Sequence, residues 1–307
     1  MKEYVCVDIG GTAMKYGVVQ EEGKFLETGE IPTEAWKGGP GILEKLERIC
    51  EEAGRRHRLS GICISTAGMV DCEKGEITFS GPQIPDYAGT GLKKRMEERF
   101  GLPCEVENDV NCAGLAECLA GAAKGCASAV CLTIGTGIGG AILFHDRVYH
   151  GFSGSACEVG YMNIPGGMFQ DLGSAGALLS RVAGEKGLAA ADIDGKWVFE
   201  QAEAGDGCCI RAIDEMTDVL GTGIANICYV LNPEIVVLGG GIMSRKEYLL
   251  PRIQAGLKKH LLPAVREKTR IAFAQNGNQA GMLGAFFSFY GNTLKKNTCT
   301  QEAAVVY

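Results

Sequence analysis

The sequence lacks several features that mark membrane-spanning, exported and nucleic-acid-binding proteins. No apolar run reaches roughly 18 residues, so we expect no membrane span and no membrane partner. Basic residues are not in excess, and the net charge of −7 argues against a general nucleic-acid partner. Met1-Lys2-Glu3 leads directly into the strand-like YVCVDI, so we expect no signal peptide and a reducing, cytoplasmic location.

Metal-binding motifs are also missing from the sequence. The chain has 14 cysteines but no CxxC pair, and no cysteine spacing matches a zinc signature. The 4 histidines likewise have no spacing that suggests metal ligation. We therefore expect most cysteines to be reduced and to act as small packing residues.

Proline is scarce, with 9 residues, whereas glycine is abundant, with 45. The absence of a Gly-X-Y period excludes collagen, and 46% hydrophobic with 22% charged residues excludes wholesale disorder. The glycine content is roughly twice the usual share. These glycines must therefore lie at turns or where the backbone closely approaches another group.

Strand and helix patterns alternate along the chain, which predicts the α/β class with ligands at the carboxyl ends of strands. Residues 4–9 and 128–134 are each predicted as a buried strand, followed by a Gly/Thr turn and another strand. The two stretches VDIGGTAMKYGVV and LTIGTGIGGAILF form a weak internal repeat. A duplicated β/α module would leave such a repeat.

Several later segments have their own expected conformations. Residues 135–140 are predicted as a turn, and residues 151–173 as an irregular Gly-rich loop, long enough to suggest function or mobility. A helix is expected after Gly241, and another over about 279–290, followed by a frayed polar tail at 293–307.

The first candidate site is Asp8-x-Gly10-Gly11-Thr12, with Lys15 shortly after it. Glycines let backbone N–H groups crowd a phosphate, and Thr12 adds a hydroxyl donor. Asp8 at the strand end could hold Mg²⁺, directly or through water. The motif is also compatible with a tight hairpin whose glycines need a positive φ.

The second candidate is the segment TIGTGIGG, with Thr133, Gly135, Thr136 and Gly137 in its first part. It is neither a Walker A motif nor a Rossmann fingerprint, since a strand follows it instead of a helix. A glycine hairpin would leave the same pattern. Two such loops, about 125 residues apart and each after a buried strand, suggest that both grip one triphosphate.

Three further motifs each have two interpretations. In LGGG, Gly239 and Gly240 could let a flat base lie against the backbone, or could allow close packing of a helix on a strand. In END, Asp109 could be a general base with Asn108 on a substrate hydroxyl, or the pair could cap a helix. In EVGY, Glu158 could bind a polyol, or be a surface acid.

Taken together, these motifs resemble the ROK family of sugar kinases, within the actin/hexokinase/Hsp70-like ATPase superfamily. The resemblance extends over residues 4–290, in the same order and with similar spacing. Its segments are DIGGT, STAGMVD, GPQIPDY, LPCEVENDVNCAGLAE, LTIGTGIGGAIL, CEVGYM, GIANICYVLNPEIVVLGGGI and NQAGMLGA.

The resemblance implies two RNase H-like (actin-like ATPase) domains around a central nucleotide and sugar cleft. Residues 1–117 with about 287–307 would form one domain, and residues 118–286 the other. It further implies an ATP-dependent kinase that transfers the γ-phosphoryl group to a sugar hydroxyl, the 6-hydroxyl of a hexose or β-glucoside, with ATP and Mg²⁺ bound. A homodimer is carried over from relatives as well.

The resemblance also implies roles for particular residues. Asp109 would be the general base, and Asp8 would hold Mg²⁺. The residues implied to bind ATP and its phosphates are Asp8, Gly10, Gly11, Thr12, Lys15, Thr133, Gly135, Thr136, Gly137, Gly239 and Gly240. The residues implied to bind the sugar are Gln83, Asn108, Asp109, Glu158 and Tyr161.

The sequence departs from the family pattern in the segment after Glu158. Most relatives have His where this chain has Tyr161, followed by a cysteine-rich zinc loop, whereas NIPGGMFQDLGSAGALL here has no cysteine. No structural zinc is therefore expected. Leu179 matches a sugar-binding Glu of relatives, and Gln83 stands where many have Asn. The β-glucoside kinases of the family look similar at this segment.

Alternative functions remain within and outside the kinase class. A glucokinase or N-acetylmannosamine kinase of the same family is one alternative, and a sugar-binding or regulatory protein without catalysis is another. A repressor of the family would carry a helix-turn-helix before DIGGT, where only seven residues precede Asp8. A filament-forming ATPase is disfavoured by the sugar-binding pattern of END and EVGY.

Overall fold

The computed structural model describes residues 1–303, with side chains as far as residue 292. Its strands are β1 (Glu3–Ile9), β2 (Ala13–Gln20), β3 (Phe25–Pro32), β4 (Leu59–Thr66), β5 (Met69–Asp71), β6 (Glu76–Phe79), β7 (Cys104–Asn108), β8 (Ser128–Ile134), β9 (Ile138–Phe144), β10 (Arg147–Val148), β11 (Asn163–Ile164), β12 (Gly167–Met168), β13 (Ile235–Gly239) and β14 (Arg270–Phe273). Its helices are α1 (Gly38–Arg56), α2 (Leu92–Phe100), α3 (Asp109–Ala120), α4 (Phe169–Gly173), α5 (Ala175–Lys186), α6 (Gly195–Glu203), α7 (Gly207–Leu231), α8 (Lys246–His260), α9 (Pro263–Arg266) and α10 (Ala280–Ala303). Within the described residues, none of these helices is long and apolar enough to cross a membrane.

The chain forms two compact units. Unit 1 consists of Met1–Leu119, His150–Ala156 and the chain from Asn278 onward. Unit 2 consists of Ala120–Tyr149 and Cys157–Gly277. The domain division implied by the family resemblance stays a prediction.

Unit 1 is built around a five-stranded sheet of order β3-β2-β1-β4-β7. β2 runs antiparallel to both of its neighbours, whereas β1, β4 and β7 are parallel. On β1, Val5, Val7 and Ile9 pack with α1, while Tyr4 and Cys6 pack with α10. Successive side chains of a strand point to opposite faces, so helices on both faces account for the almost continuous apolar run of this strand.

Unit 2 repeats this arrangement in a sheet of order β10-β9-β8-β13-β14. β9 is antiparallel to its neighbours, and β8, β13 and β14 are parallel. The antiparallel pairs β1–β2 and β8–β9 are the two halves of the internal repeat, which confirms the predicted α/β class and duplicated module. The core of this unit lies where α4 to α8 pack on the sheet.

The turn predicted at 135–140 is shorter in the structure. β9 begins at Ile138, and Gly139 and Gly140 pair with Thr133 and Leu132 of β8. Glycine is a poor strand former, but the backbone ladder with β8 outweighs this weak preference. The expectation of a turn through Gly140 was therefore wrong.

The loop expected at 151–173 is only partly irregular. β11 and β12 form a short hairpin, and α4 follows directly. Phe169 on α4 is fully buried, and a Cβ on Gly223 of α7 would lie 2.2 Å from its ring. The Phe169 ring packs against Gly223 of α7 and so holds the end of the loop in the core.

Two helix predictions also need correction. After Gly240 the chain first makes a 3-10 turn, Gly241–Ser244, and α8 begins only at Lys246. α10 does not end near residue 290 but continues to Ala303. The tail predicted to be frayed is thus helical as far as Ala303, and its last four residues lie outside the described part of the chain.

The cysteines occupy packing positions, as predicted. The 13 within the described side chains are free thiols, and 10 of them are buried. Burial raises the pKa of Cys50 to about 12, because a thiolate would lose its hydration there. Such thiols behave as small apolar side chains.

Candidate functional site

The DIGGT segment forms the turn between β1 and β2 in unit 1. The N–H of Gly10 donates to the carbonyl of Ala13 at 3.1 Å, and the Thr33 hydroxyl donates to the carbonyl of Gly10 at 2.6 Å. Neither Gly10 nor Gly11 has a positive φ. The alternative of a hairpin whose glycines need a positive φ is therefore wrong. The remaining interpretation is that these glycines let a ligand approach the backbone closely.

Asp8 is the last residue but one of β1, and its carboxylate is largely enclosed. Ser65 donates a hydrogen bond to Oδ1 at 2.6 Å, and Lys15 lies opposite Asp8 in the β1–β2 register. A Cβ on Gly281, at the start of α10, would lie 2.3 Å from the carboxyl carbon. Burial raises the pKa of Asp8, while the Ser65 hydrogen bond and the Lys15 charge oppose the rise.

Asn108 forms the junction between β7 and α3. Its Oδ1 accepts from the N–H groups of Val110 at 2.9 Å and Asn111 at 3.1 Å. Its Nδ2 donates to the carbonyl of Gly68 at 2.9 Å and to Oδ1 of Asp109 at 3.0 Å. The side chain thus caps α3, and a sugar hydroxyl would have to replace one of these partners.

Asp109 is the first residue of α3. Its Oδ1 accepts from Asn108 and from the N–H of Val110 at 3.0 Å. Among the described residues, no group donates a hydrogen bond to its Oδ2. Burial, and secondly the charge of Asp8, raise the pKa of Asp109 to about 7. A carboxylate that titrates near neutral pH can accept a proton from a hydroxyl.

Glu107, for which the sequence predicts no role, holds the END segment in place through hydrogen bonds. This buried carboxylate accepts from the N–H of Asn108 and from Nδ2 of Asn111, both at 2.9 Å. His150 Nε2 lies 2.7 Å from its Oε2, and the Cys72 thiol lies 3.5 Å from its Oε1. The i, i+4 spacing could have indicated Asn111, but no local signal pairs Glu107 with the two distant residues.

Gln83 and Tyr87 both come from the GPQIPDY segment. Gln83 is exposed, and its Cβ would lie 3.5 Å from a Cβ on Gly11, so the fold brings it to the DIGGT turn. Tyr87 is fully buried, and its hydroxyl lies 2.7 Å from the Thr66 hydroxyl. Burial raises the pKa of Tyr87, and the charge of Asp109 adds to this rise.

In unit 2, the loop after β8 is held by the start of α5. The carbonyl of Gly135 accepts from the N–H groups of Ala175 at 2.9 Å and Gly176 at 3.3 Å. Ser174 caps this helix through a bond to the Ala177 N–H. No atom lies within 4 Å of a Cβ placed on Gly135. The loop therefore has open space beside the positive end of a helix dipole, a feature of anion sites that the sequence did not reveal.

The LGGG segment follows β13, next to the same loop. Gly239 pairs with Thr133 of β8 in the sheet register. Gly240 has a φ of 108°, and a Cβ there would lie 2.1 Å from the carbonyl oxygen of Ile134. Close backbone packing therefore requires a glycine at this position. Beside Gly241, a cavity of about 350 Å³ opens toward the start of α6.

Glu158 precedes a 3-10 turn in unit 2, and Tyr161 is the last residue of that turn. A Cβ on Gly160, between them, would lie 2.3 Å from the carbonyl of Ile138, so this turn packs directly on the first residue of β9. Both Glu158 and Tyr161 are exposed. Partial burial of its carboxyl group nevertheless raises the pKa of Glu158.

The residues singled out from the sequence thus form one group in each unit. The group in unit 1 comprises Asp8, Gly10, Gly11, Thr12, Lys15, Gln83, Asn108 and Asp109. The group in unit 2 comprises Thr133, Gly135, Thr136, Gly137, Glu158, Tyr161, Gly239 and Gly240. In both units the groups lie at the carboxyl ends of the parallel strands, where α/β sheets bind their ligands.

The chain is similar to several known proteins. The model of the ROK family matches residues 4–290. An uncharacterized protein of Clostridium perfringens is 50% identical over 94% of this chain and 98% of its own length. A beta-glucoside kinase of Klebsiella pneumoniae is 33% identical over 92% of this chain and 94% of its own. The crystal structure of a ROK family glucokinase from Streptomyces griseus, in complex with glucose and AMPPNP, is 30% identical, with a TM-score of 0.79 over 92% of this chain and 97% of that one.

Proposed function

The chain belongs to the ROK family and is an ATP-dependent sugar kinase, and we propose that it phosphorylates the 6-hydroxyl of a hexose or β-glucoside with Asp109 as the general base. The expected RNase H-like, actin-like ATPase fold agrees with this membership. The comparisons support the reaction class, and the residues of this chain support the finer statement.

The observation that carries the proposal is the Asp109 carboxylate. Its Oδ1 is held by two hydrogen bonds, from Asn108 and from the Val110 N–H, so the group has a fixed orientation. Its Oδ2 has no donor among the described residues, and its pKa is raised to about 7. A fixed carboxylate with one open oxygen and a near-neutral pKa suits proton abstraction from an alcohol.

The proposed step forms one P–O bond and breaks another. The sugar hydroxyl oxygen attacks the γ-phosphorus in line, and the bond from that phosphorus to the β–γ bridging oxygen breaks, which releases ADP. Asp109 accepts the hydroxyl proton late in the step. Such reactions need positioning and neutralisation of charge more than covalent help from the protein.

The residues around Asp8 fit a hydrated Mg²⁺ ion. The Asp8 carboxylate is largely enclosed, and Lys15 lies opposite it on β2. Hard cations such as Mg²⁺ prefer carboxylate oxygens as ligands. When bound, Mg²⁺ would neutralise charge on the phosphate oxygens. Asp8 would hold the ion, directly or through water, while Ser65 keeps the carboxylate in position.

We assign the substrate contacts unit by unit. In unit 1, Asn108 would exchange its contact with the Gly68 carbonyl for a sugar hydroxyl, and Gln83 would bind a second hydroxyl. In unit 2, Glu158 and Tyr161 would bind the sugar through exposed polar groups.

The nucleotide contacts follow from the two glycine loops. In unit 1, Gly10, Gly11 and Thr12 would bind phosphate oxygens, with Lys15 nearby. In unit 2, the segment from Thr133 to Gly137 would bind phosphate beside the α5 N-terminus. The cavity beside Gly241 would take the adenosine.

We prefer a β-glucoside as the substrate, with glucose as the second candidate. Leu179 replaces an expected acid near the reducing end, and its apolar side chain offers no hydrogen bond to a reducing-end hydroxyl but can contact an aglycone. It packs against the core of unit 2. Glucose is retained because the glucokinase of Streptomyces griseus was crystallised with it. N-acetylmannosamine, a cytoplasmic location and a homodimer also stay predictions.

A coupled ADP-release screen across hexoses, N-acetylhexosamines and β-glucosides tests the proposal. We expect β-glucosides to give the highest kcat/KM. Leu179→Glu should lower the ratio of kcat/KM for β-glucosides to kcat/KM for glucose, and Leu179→Gln is the uncharged control. A protein that binds sugar without stimulated ATP turnover would support the regulatory alternative. Absence of both binding and turnover with every sugar would contradict the proposed substrate class.

A further inference from the structure

A sulfur, an oxygen and a nitrogen ligand converge behind the END segment in unit 1. Cys72 Sγ, a Glu107 carboxylate oxygen and a ring nitrogen of His150 all lie within 4.8 Å of one another. These residues come from the β5–β6 turn, the end of β7 and the segment after β10. Cys72 and His150 have no role in the proposed phosphoryl transfer, and Glu107 takes part only by holding the END segment in place.

We propose that Cys72, Glu107 and His150 form a binding site for a divalent transition-metal ion of the Zn²⁺ class, with solvent as the fourth ligand. Thiolate, imidazole and carboxylate are the ligand types that Zn²⁺ accepts, usually in a tetrahedral arrangement. The hard ion Mg²⁺ prefers oxygen ligands alone, so the thiol excludes it from this site.

The distances agree with such a site. Ligand atoms about 2.0–2.3 Å from a tetrahedral ion lie about 3.5 Å from one another. Cys72 Sγ is 3.5 Å from Oε1 of Glu107, so the thiol and the imidazole each approach one of the two oxygens of this carboxylate. His150 Nε2 is 2.7 Å from Oε2 of the same residue, a hydrogen-bond distance that must open by under 1 Å to admit the ion. Only a small movement of the partly exposed His150 ring is therefore needed.

Burial and hydrogen bonding preorganise the central ligand. The Glu107 side chain is only 4% exposed, and the N–H of Asn108 and Nδ2 of Asn111 hold its Oε1 in place. A buried carboxylate is costly unless a positive or donor group compensates it. His150 is 37% exposed, so an ion can reach the ligands from solvent. Hydrogen bonds that orient a first ligand are typical of metal sites.

The protons balance when the ion binds. The Cys72 thiol loses its proton to solvent, and the resulting thiolate forms the metal–sulfur bond. His150 binds the ion as a neutral imidazole through the Nε2 lone pair, with its remaining ring proton on Nδ1 and any further proton lost to solvent. Glu107 binds as the carboxylate. The Cys72 thiol thus releases one proton for each ion bound.

The bound ion would cross-link three distant parts of unit 1. It would connect the β5–β6 turn and the His150–Ala156 segment to the strand end that carries Asn108 and Asp109. This location differs from the segment after Glu158, whose lack of cysteines led to the expectation that the chain holds no zinc, and the proposed site departs from that expectation. The site is thus a separate one, built from residues with no local metal-binding pattern.

Equilibrium dialysis against Zn²⁺, followed by elemental analysis, tests the site in the full chain after treatment with a chelator. We expect one Zn²⁺ per wild-type chain. Cys72→Ser and His150→Gln should each weaken binding by at least about tenfold, the lower end of the loss seen when the outer partners of metal ligands are changed. Gln can still donate to Glu107, so His150→Gln removes the ligand while it keeps the hydrogen bond.

Cobalt substitution gives a second readout. Co²⁺ bound by a thiolate should show a near-ultraviolet sulfur-to-metal charge-transfer band in the wild type, and this band should disappear in Cys72→Ser. Cys208→Ser, a partly exposed thiol in unit 2, is the matched control and should leave both readouts unchanged. No Zn²⁺ bound to the wild type, or equal binding by Cys72→Ser and the wild type, would overturn the proposal. Neither readout involves sugar phosphorylation, so this result is independent of the proposed function.

Discussion

Replacement of Asp109 by Asn separates the chemical role of this residue from its structural one. The amide of Asp109→Asn keeps an oxygen for the hydrogen bonds from Asn108 and the Val110 N–H. It cannot accept a proton from a hydroxyl at neutral pH. We expect kcat to fall by about 100-fold to 10,000-fold, the usual contribution of a general base. ATP affinity, measured by calorimetric titration, should stay close to that of the wild type.

The same substitution should change how stability depends on pH. The pKa of Asp109 rises from 3.8 to about 7 on folding, so ionisation of this group costs folding free energy as pH rises above 3.8. The shift of about three pKa units corresponds to an upper bound of ~4 kcal/mol, fully expressed above about pH 8. Asp109→Asn removes this cost, because the amide does not ionise.

Urea unfolding at pH 5 and pH 8 measures the effect. Between these two values, we expect Asp109→Asn to gain up to about 3 kcal/mol of stability relative to the wild type. Asp192→Asn, which removes an exposed carboxylate from unit 2, is the control and should show no such pH-dependent gain. An equal stability difference at both pH values would refute the raised pKa, and turnover within tenfold of the wild type would refute the base role.

Two glycine substitutions test the close contacts at the strand ends. Gly281→Ala should lower ATP and Mg²⁺ affinity and lower the free energy of unfolding by about 1–3 kcal/mol, because its Cβ would lie 2.3 Å from the Asp8 carboxyl carbon. Gly291→Ala on the same helix has open space, so it should change neither the affinities nor the stability. Gly240→Ala should lower the Tm and ATP affinity, because φ is 108° and its Cβ would meet a β8 carbonyl at 2.1 Å. Gly184→Ala on α5, which has open space and does not line the cavity proposed for adenosine, is its control, and equal effects of the two substitutions would contradict this explanation.

The fold was largely predictable, because the spacing of apolar residues and the positions of glycine and proline indicate helices, strands and turns locally. β1 and β8 were predicted from buried runs, and both lie at the centre of their sheets. The misses fell where tertiary contacts outweigh local preference. Gly139 and Gly140 joined β9 because the β8 backbone was available to pair with them, and α4 is anchored by a single aromatic ring on a distant glycine.

The candidate site was only partly predictable for a related reason. Asp8 and Asp109 could be found from short motifs, because each chemical group sits beside its own glycines or helix start. Ser65, which holds the Asp8 carboxylate, and His150, which contacts Glu107, come from other segments. Such pairs depend on strand order and on loop paths, which no short motif encodes.

The sequence by itself determined the α/β class, the duplicated strand–turn–strand module, the family resemblance and the positions of the glycine and acidic motifs. These properties follow from local spacing, which the chain states directly. Tertiary structure alone decided that burial and the charge of Asp8 raise the pKa of Asp109, and that Cys72 and His150 meet at Glu107. It also decided between the two interpretations of Asn108 in favour of the helix cap. Electrostatic shifts and ligand geometry depend on distances between atoms and on exclusion of water, and both exist only once distant segments have packed together.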